Sequence, residues 1–161
     1  MVLINEEINN AFNKQIAEEL NSAFIYLSMS IWLKEHNFNK LSSWFFTQYN
    51  EELSHAYKFM NYIIDVGGLA KIHAIPEPKS DWASVKEIVE TAYAHEQHIT
   101  RKIHELVSLA EKAGDYNPRE LLQWFVTEQI EEEANTSELV ERQKAFNNDM
   151  LFDQHTIREK E

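Results

Sequence analysis

The stretch YNEELSHAYKFM, residues 49–60, has the aromatic spacing of a buried helix, yet Glu51, Glu52 and His55 stand at its centre. Burying an uncompensated carboxylate costs several kcal/mol. Whatever compensates these residues must come from the rest of the chain.

Composition narrows the choices. The 161 residues, with three Gly, three Pro and 43% hydrophobic side chains, favour a single domain of long helices spanning the chain. The absence of cysteine removes disulfides, thiol nucleophiles and thiolate metal sites, leaving oxygen and imidazole as the metal ligands. With 27 Asp+Glu against 15 Lys+Arg the net charge is −12, which repels nucleic acid and draws cations. MVLI at the start is too short for a signal-peptide core, and AFIYLSMSIWL, residues 23–33, is about half the ~20 residues that span a bilayer. A soluble, cytoplasmic protein with no membrane or nucleic-acid partner is expected.

Four long segments carry helical period. The first runs from about Asn5 to His36 and the second from Asn39 to Val66, where Gly67 and Gly68 signal a stop. Pro76 and Pro78 then forbid a helix through GLAKIHAIPEPKSDWA, residues 68–83. Ser84 with Glu87 reads as a capping box opening the third helix, which Gly114 ends. Asn117, Pro118 and Glu120 read as cap, first-turn proline and third-position acid of a fourth helix reaching about Ala145. A short fifth helix is expected at about residues 150–160. Helices of ~30 residues are ~45 Å long and must pack side by side. The short first and third connections make antiparallel hairpins, while the long second one crosses the bundle. The expectation is an all-α four-helix bundle over residues 5–145, with one long crossover between helices 2 and 3.

Core seams traced at steps of three and four are apolar, and each is broken at mid-height. The first is Ile8, Phe12, Ile16, Glu19, Ala23, Tyr26, Ser30 and Leu33. The second is Leu41, Phe45, Gln48, Glu52, His55, Phe59, Tyr62 and Val66. The third is Val85, Val89, Ala92, Glu96, Ile99, Ile103, Leu106 and Ala110, and the fourth Leu122, Phe125, Gln129, Glu132, Thr136 and Leu139. Glu96, Gln129 and Glu132 each stand 77 positions after Glu19, Glu52 and His55, so the two hairpins repeat one polar pattern. These side chains should meet at one height.

One mid-helix Glu is ordinarily a solvated face, and one seam histidine a satisfied core residue. Four carboxylates in one apolar layer fit neither description. His55 alone cannot balance them, and no Lys or Arg stands in the seams at that height, whereas bound cations would balance them. Carboxylate with imidazole suits iron or manganese, and several Glu able to bridge favour a pair of ions. Di-iron bundles use one Glu from each of two helices and Glu-x-x-His from each of the others. Here Glu19 and Glu96 are the single acids and Glu52-x-x-His55 one such motif, while the fourth helix departs with Gln129-x-x-Glu132.

Through NKQIAEELNSAFIYLSMS (13–30), NEELSHAYKFMNYI (50–63), AYAHEQHIT (92–100) and LQWFVTEQIEEE (122–133), the chain resembles the bacterial non-haem ferritins along almost its whole length. The resemblance implies a ferritin-like fold and an iron-storage protein that oxidises Fe(II) with O2 or H2O2 at a di-iron ferroxidase centre. By position, Glu19, Glu52 and His55 would hold one iron. Glu96 and Glu132 would hold the other, with Glu52 bridging and Gln129 close by. A third, weaker iron site would map to Glu51, Glu128, Glu131 and Glu132. Tyr26 matches the tyrosine beside the centre, and Trp124 is read mainly as packing. Haem is not expected, because Leu53 and Ser54 stand where haem-binding relatives carry methionine. The resemblance further implies a homo-oligomeric cage of twenty-four subunits around a ferric mineral, with the fifth helix at the four-fold axis. Trp32, Phe38, Trp44, Phe46 and Trp82 exceed what one core needs and are expected at interfaces. Arg119 and Leu122 stand where animal ferritins line a pore with acids, so that iron route is not carried over. Two other readings stay open: a small di-iron oxidase or peroxidase that stores no iron, and a non-catalytic helical bundle.

Overall fold

The computed structural model describes residues 1–157. Among them are five helices: α1 (Glu6–Glu35), α2 (Asn39–Asp65), α3 (Val85–Ala113), α4 (Arg119–Phe146) and α5 (Asp149–Gln154). No helix among these residues is long and apolar enough to cross a membrane.

Local sequence sets most helix ends. Asn5 Oδ1 accepts from Ile8 N at 2.8 Å, and Ser84 Oγ accepts from Glu87 N at 3.1 Å. The Glu87 carboxylate reaches back to Ala83 N, one residue before the position a capping box prescribes. Gly114 ends α3 in the left-handed region at φ 62°. Gly67 follows α2 at φ 76°, and a Cβ there would also meet the Met1 carbonyl oxygen at 2.3 Å.

Two ends are set by distant residues instead. The expected Asn117 cap on α4 is not formed: Pro118 takes the cap position without a side-chain bond. Asn117 Nδ2 donates instead to the Leu3 carbonyl at 3.1 Å, joining the amino-terminal segment to the α3–α4 turn. At the start of α2, Phe38 offers no capping atom. Asp153, buried on α5, accepts from Leu41 N at 2.8 Å and caps α2 from 112 positions away. Asp153→Ala is therefore expected to cost about 1–3 kcal/mol, read as a lower denaturation midpoint. The fifth helix is shorter than expected, ending at Gln154, and positions 158–160 of the expected span lie outside the described residues.

Side-chain pairs give the topology. Phe12 meets Phe59 and Tyr26 meets Phe45, so α1 and α2 run antiparallel. Glu18 bonds His98 and Ser22 bonds His95, so α1 and α3 are antiparallel too. It follows that α2 and α3 are parallel, and residues 66–84 make the long crossover. Asn9 and Asn13, one turn apart on α1, fasten that crossover through four bonds of 2.7–3.1 Å to the backbone of Leu69 and Lys71.

The seams face inward nearly as traced. Every traced position on α1, α3 and α4 is buried. Late in α2 the buried residue is Ile63, with Tyr62 and Val66 only half-buried. A three-four seam averages 3.5 residues per turn and drifts against the 3.6 of a straight helix. Trp44 and Trp82 are also corrected: at 6% and 4% exposure they belong to the chain's own core, while Phe46 remains 49% exposed. The apolar core has two parts. Tyr26, Leu33, Phe45 and Val89 belong to one, and Ile8, Phe12, Phe59, Ile103 and Phe125 to the other. The polar seam residues lie between them in sequence on each of the four long helices.

Candidate metal centre

Glu19, Glu52, Glu96 and Glu132, one from each long helix, are at most 2% exposed. Among the described residues, three groups of side chains bring ligand atoms within 4.8 Å of one another. The first is Glu19, Glu52 and His55, the second Glu52, Glu96 and Glu132, and the third His55, Glu128 and Glu132. Glu52 belongs to the first two, so two cation positions would share one carboxylate. Glu128 joins the third group, whereas Glu51 and Glu131 fall outside all three.

Amide and hydroxyl donors orient these acids. Gln15 Nε2 donates to Glu19 Oε1 at 2.8 Å, and Gln48 Nε2 donates to Glu132 Oε2 at 2.5 Å and to Glu52 Oε1 at 3.3 Å. Gln129 Nε2 donates to Glu96 Oε2 at 3.1 Å, and the Tyr26 hydroxyl donates to Glu96 Oε1. Thr136 Oγ1 donates to the Glu132 carbonyl at 2.7 Å. His55 Nδ1 lies 3.3 Å from Glu52 Oε2 and its Nε2 3.6 Å from Glu128 Oε1. Trp124 packs edge-on against the His55 ring with centroids 5.5 Å apart. Gln15 and Gln48 were not singled out as site residues from sequence. Their signal was present, since each stands four residues before its Glu, one turn away on the same face.

Burial sets the protonation. Desolvation, reinforced by Glu52, pushes Glu19 up to about 8. The same two causes push Glu132 to about 8 and Glu96 well above the carboxylate range. Desolvation would raise Glu52 too, but the His55 charge and hydrogen bonds from His55 and Gln48 outweigh it and hold Glu52 low. His55 is held well above its ordinary value, because Glu52 and Glu128 overcome its desolvation. Desolvation also carries Tyr26 well above the usual phenol, with Glu96 next in effect. At neutral pH these shifts favour the protonated forms of Glu19, Glu96 and Glu132 and the charged forms of Glu52 and His55. Glu19 also shares a side-chain hydrogen bond with Glu52, while Glu19 Oε2 and Glu132 Oε1 are buried oxygens that accept no hydrogen bond among the described residues. Unsatisfied buried oxygens are costly, and hard oxygen atoms beside an imidazole are the donors a first-row divalent cation takes. The residues fit such ions.

The chain is similar to known proteins along most of its length. The model of the ferritin-like domain matches residues 9–146. The bacterial non-heme ferritin of Bacteroides fragilis is 35% identical over 150 residues, covering 93% of this chain and 94% of that one. A probable bacterial non-heme ferritin-like protein of Haemophilus influenzae is 36% identical over 140 residues, covering 87% and 85%. An open-pore ferritin from the hyperthermophilic archaeon Archaeoglobus fulgidus superposes with a TM-score of 0.92 at 36% identity, covering 99% of this chain and all of that one. With its four-helix frame, its carboxylate layer and these likenesses, the chain belongs to the ferritin family.

Proposed function

We propose that this chain stores iron and that its buried carboxylate layer is a ferroxidase centre, where Fe(II) is the substrate and O2 or H2O2 the oxidant. Iron storage follows from the family. The ferroxidase reading is carried by one observation: two ligand groups share Glu52 inside a buried layer that gathers one carboxylate from each long helix. In this reading Glu19 and His55 complete one Fe(II) position and Glu96 and Glu132 the other, with Glu52 common to both. Two adjacent Fe(II) ions give up two electrons together, which avoids a free-radical step. Carboxylate oxygen binds Fe(II) weakly enough for turnover and stabilises Fe(III), which leaves for the mineral.

The surrounding residues have separate tasks. Gln15 and Gln48 hold their carboxylates in place, and Gln129 and Tyr26 orient Glu96, so we assign Gln129 to positioning ahead of direct ligation. A third, weaker iron position is proposed at Glu128 and Glu132, with Glu51 and Glu131 as its outer acids. The donors are oxygen and imidazole, and no haem is included. The mineral would lie inside a homo-oligomeric cage of twenty-four copies in the cytoplasm. Exposed Phe46, Tyr57, Ile64, Ile130 and Leu151 supply apolar surface for such assembly.

Aerobic Fe(II) titration of the metal-free protein, followed by sizing of the loaded product, tests this reading. Rapid oxidation with hundreds of iron ions retained per large assembly is expected. Oxidation that stops near about two or three ions per chain would remove the storage role and leave a small di-iron oxidase.

A further inference from the structure

Among the described residues, three buried glutamines face the carboxylate layer: Gln15 on α1, Gln48 on α2 and Gln129 on α4. Their reach differs. Gln15 Nε2 donates to Glu19, which stands in one ligand group, and Gln129 Nε2 donates to Glu96, which also stands in one. Gln48 Nε2 donates to carboxylates on two helices, Glu132 Oε2 at 2.5 Å and Glu52 Oε1 at 3.3 Å. A primary amide carries two N–H bonds, so one side chain can serve both acceptors. Glu52 belongs to the first and second groups and Glu132 to the second and third. The Gln48 amide therefore touches a member of all three groups.

We propose that Gln48 is a positioning residue that makes the two main metal positions unequal. It fixes the Glu132 carboxylate against the shared Glu52, so the Glu96–Glu132 position depends on it far more than the Glu19–His55 position does. The first position has supports of its own. Gln15 orients Glu19, and the His55 ring is held edge-on by Trp124 and Phe125, with centroids 5.5 and 5.7 Å away. Glu52 keeps His55 and Glu19 as hydrogen-bond partners when the amide is gone. Glu132 is placed differently. It reaches across from α4, and Thr136 bonds its backbone carbonyl rather than its carboxylate. A glutamate side chain has several staggered rotamers, and the Gln48 bond selects the one that meets Glu52. Residues that orient a ligand in this way typically change metal affinity by about 10–100-fold. This role rests on the metal centre proposed above and is independent of whether that centre oxidises iron.

Co(II) titrated into the metal-free assembly by calorimetry gives the affinities, and anomalous diffraction from Co(II)-soaked crystals shows which position each belongs to. Gln48→Met keeps the length of the side chain without its donors. Gln48→Asn keeps the carboxamide but withdraws it by one methylene, so that it no longer spans both acids. In each, affinity beside Glu96 and Glu132 is expected to fall about 10–100-fold, while that beside Glu19 and His55 stays within about threefold. Gln15→Met should reverse the pattern and weaken the Glu19 position. Circular dichroism checks the helices, and Gln48→Asn carries the test alone if the Met variant does not fold. Equal weakening of both positions, or parent affinity in Gln48→Asn, would make Gln48 a core-filling residue and overturn the role. Two filled positions in the parent, unchanged in both Gln48 variants, would overturn this role alone. A parent that takes up no Co(II) at either position would overturn the metal centre as well.

Discussion

Glu52→Ala lowers the initial rate of Fe(II) oxidation by more than ~100-fold while the bundle stays folded. Glu52 is the residue common to the two ligand groups, so its loss dismantles both positions at once. The fold survives because the variant also removes the partner that keeps His55 charged. His55 then becomes neutral or leans on Glu128, 3.6 Å from its Nε2, and no unpaired charge is stranded in the core. Stopped-flow absorbance of the ferric product measures the rate, and circular dichroism checks the helices. Glu51→Ala and Glu131→Ala, outside the three groups, should each change the rate by less than ~10-fold. The opposite ranking, with Glu51 essential and Glu52 dispensable, would refute the assignment.

The stability of the metal-free protein falls as pH rises from about 4.5 to about 8, and divalent metal removes much of that dependence. In the unfolded chain Glu19 and Glu132 titrate near 4.5, but in the folded core both are raised to about 8. The folded state therefore binds more protons across this window, and linkage makes stability decline with increasing pH. Each raised group contributes fully below its unfolded value and loses its contribution as pH passes its folded value. The loss is on the order of a few kcal/mol per group, since one pKa unit is about 1.4 kcal/mol. A cation replaces those protons, so Zn(II) or Co(II) binding at pH 7 should release protons and raise the melting temperature. Thermal melts between pH 5 and 8.5, with and without Zn(II), measure both effects. Glu19→Gln should flatten the metal-free profile, because a neutral amide has no proton to lose. A metal-free protein whose stability is unchanged or rises over this range would contradict the buried-acid account.

The sequence alone determined the long helices, the crossover and the height of the polar layer. These depend on period, punctuation and chain length, which are local properties. It likewise gave Glu19, Glu52, His55, Glu96 and Glu132 as the central set, because inward positions recur along each helix and the hairpins repeat them. Tertiary structure decided what depends on neighbours far away in the chain. Asn117 was drawn from capping α4 to bonding Leu3, while Asp153 capped α2 across 112 positions. Trp44 and Trp82 joined the buried cluster that also holds Tyr26, Phe45 and Phe152 of α5. Gln129 turned its amide onto Glu96, and Glu128 rather than Glu51 or Glu131 came into a ligand group. Those choices rest on side-chain reach between helices. A periodic pattern fixes which face a residue occupies, but only packing fixes which atom it meets.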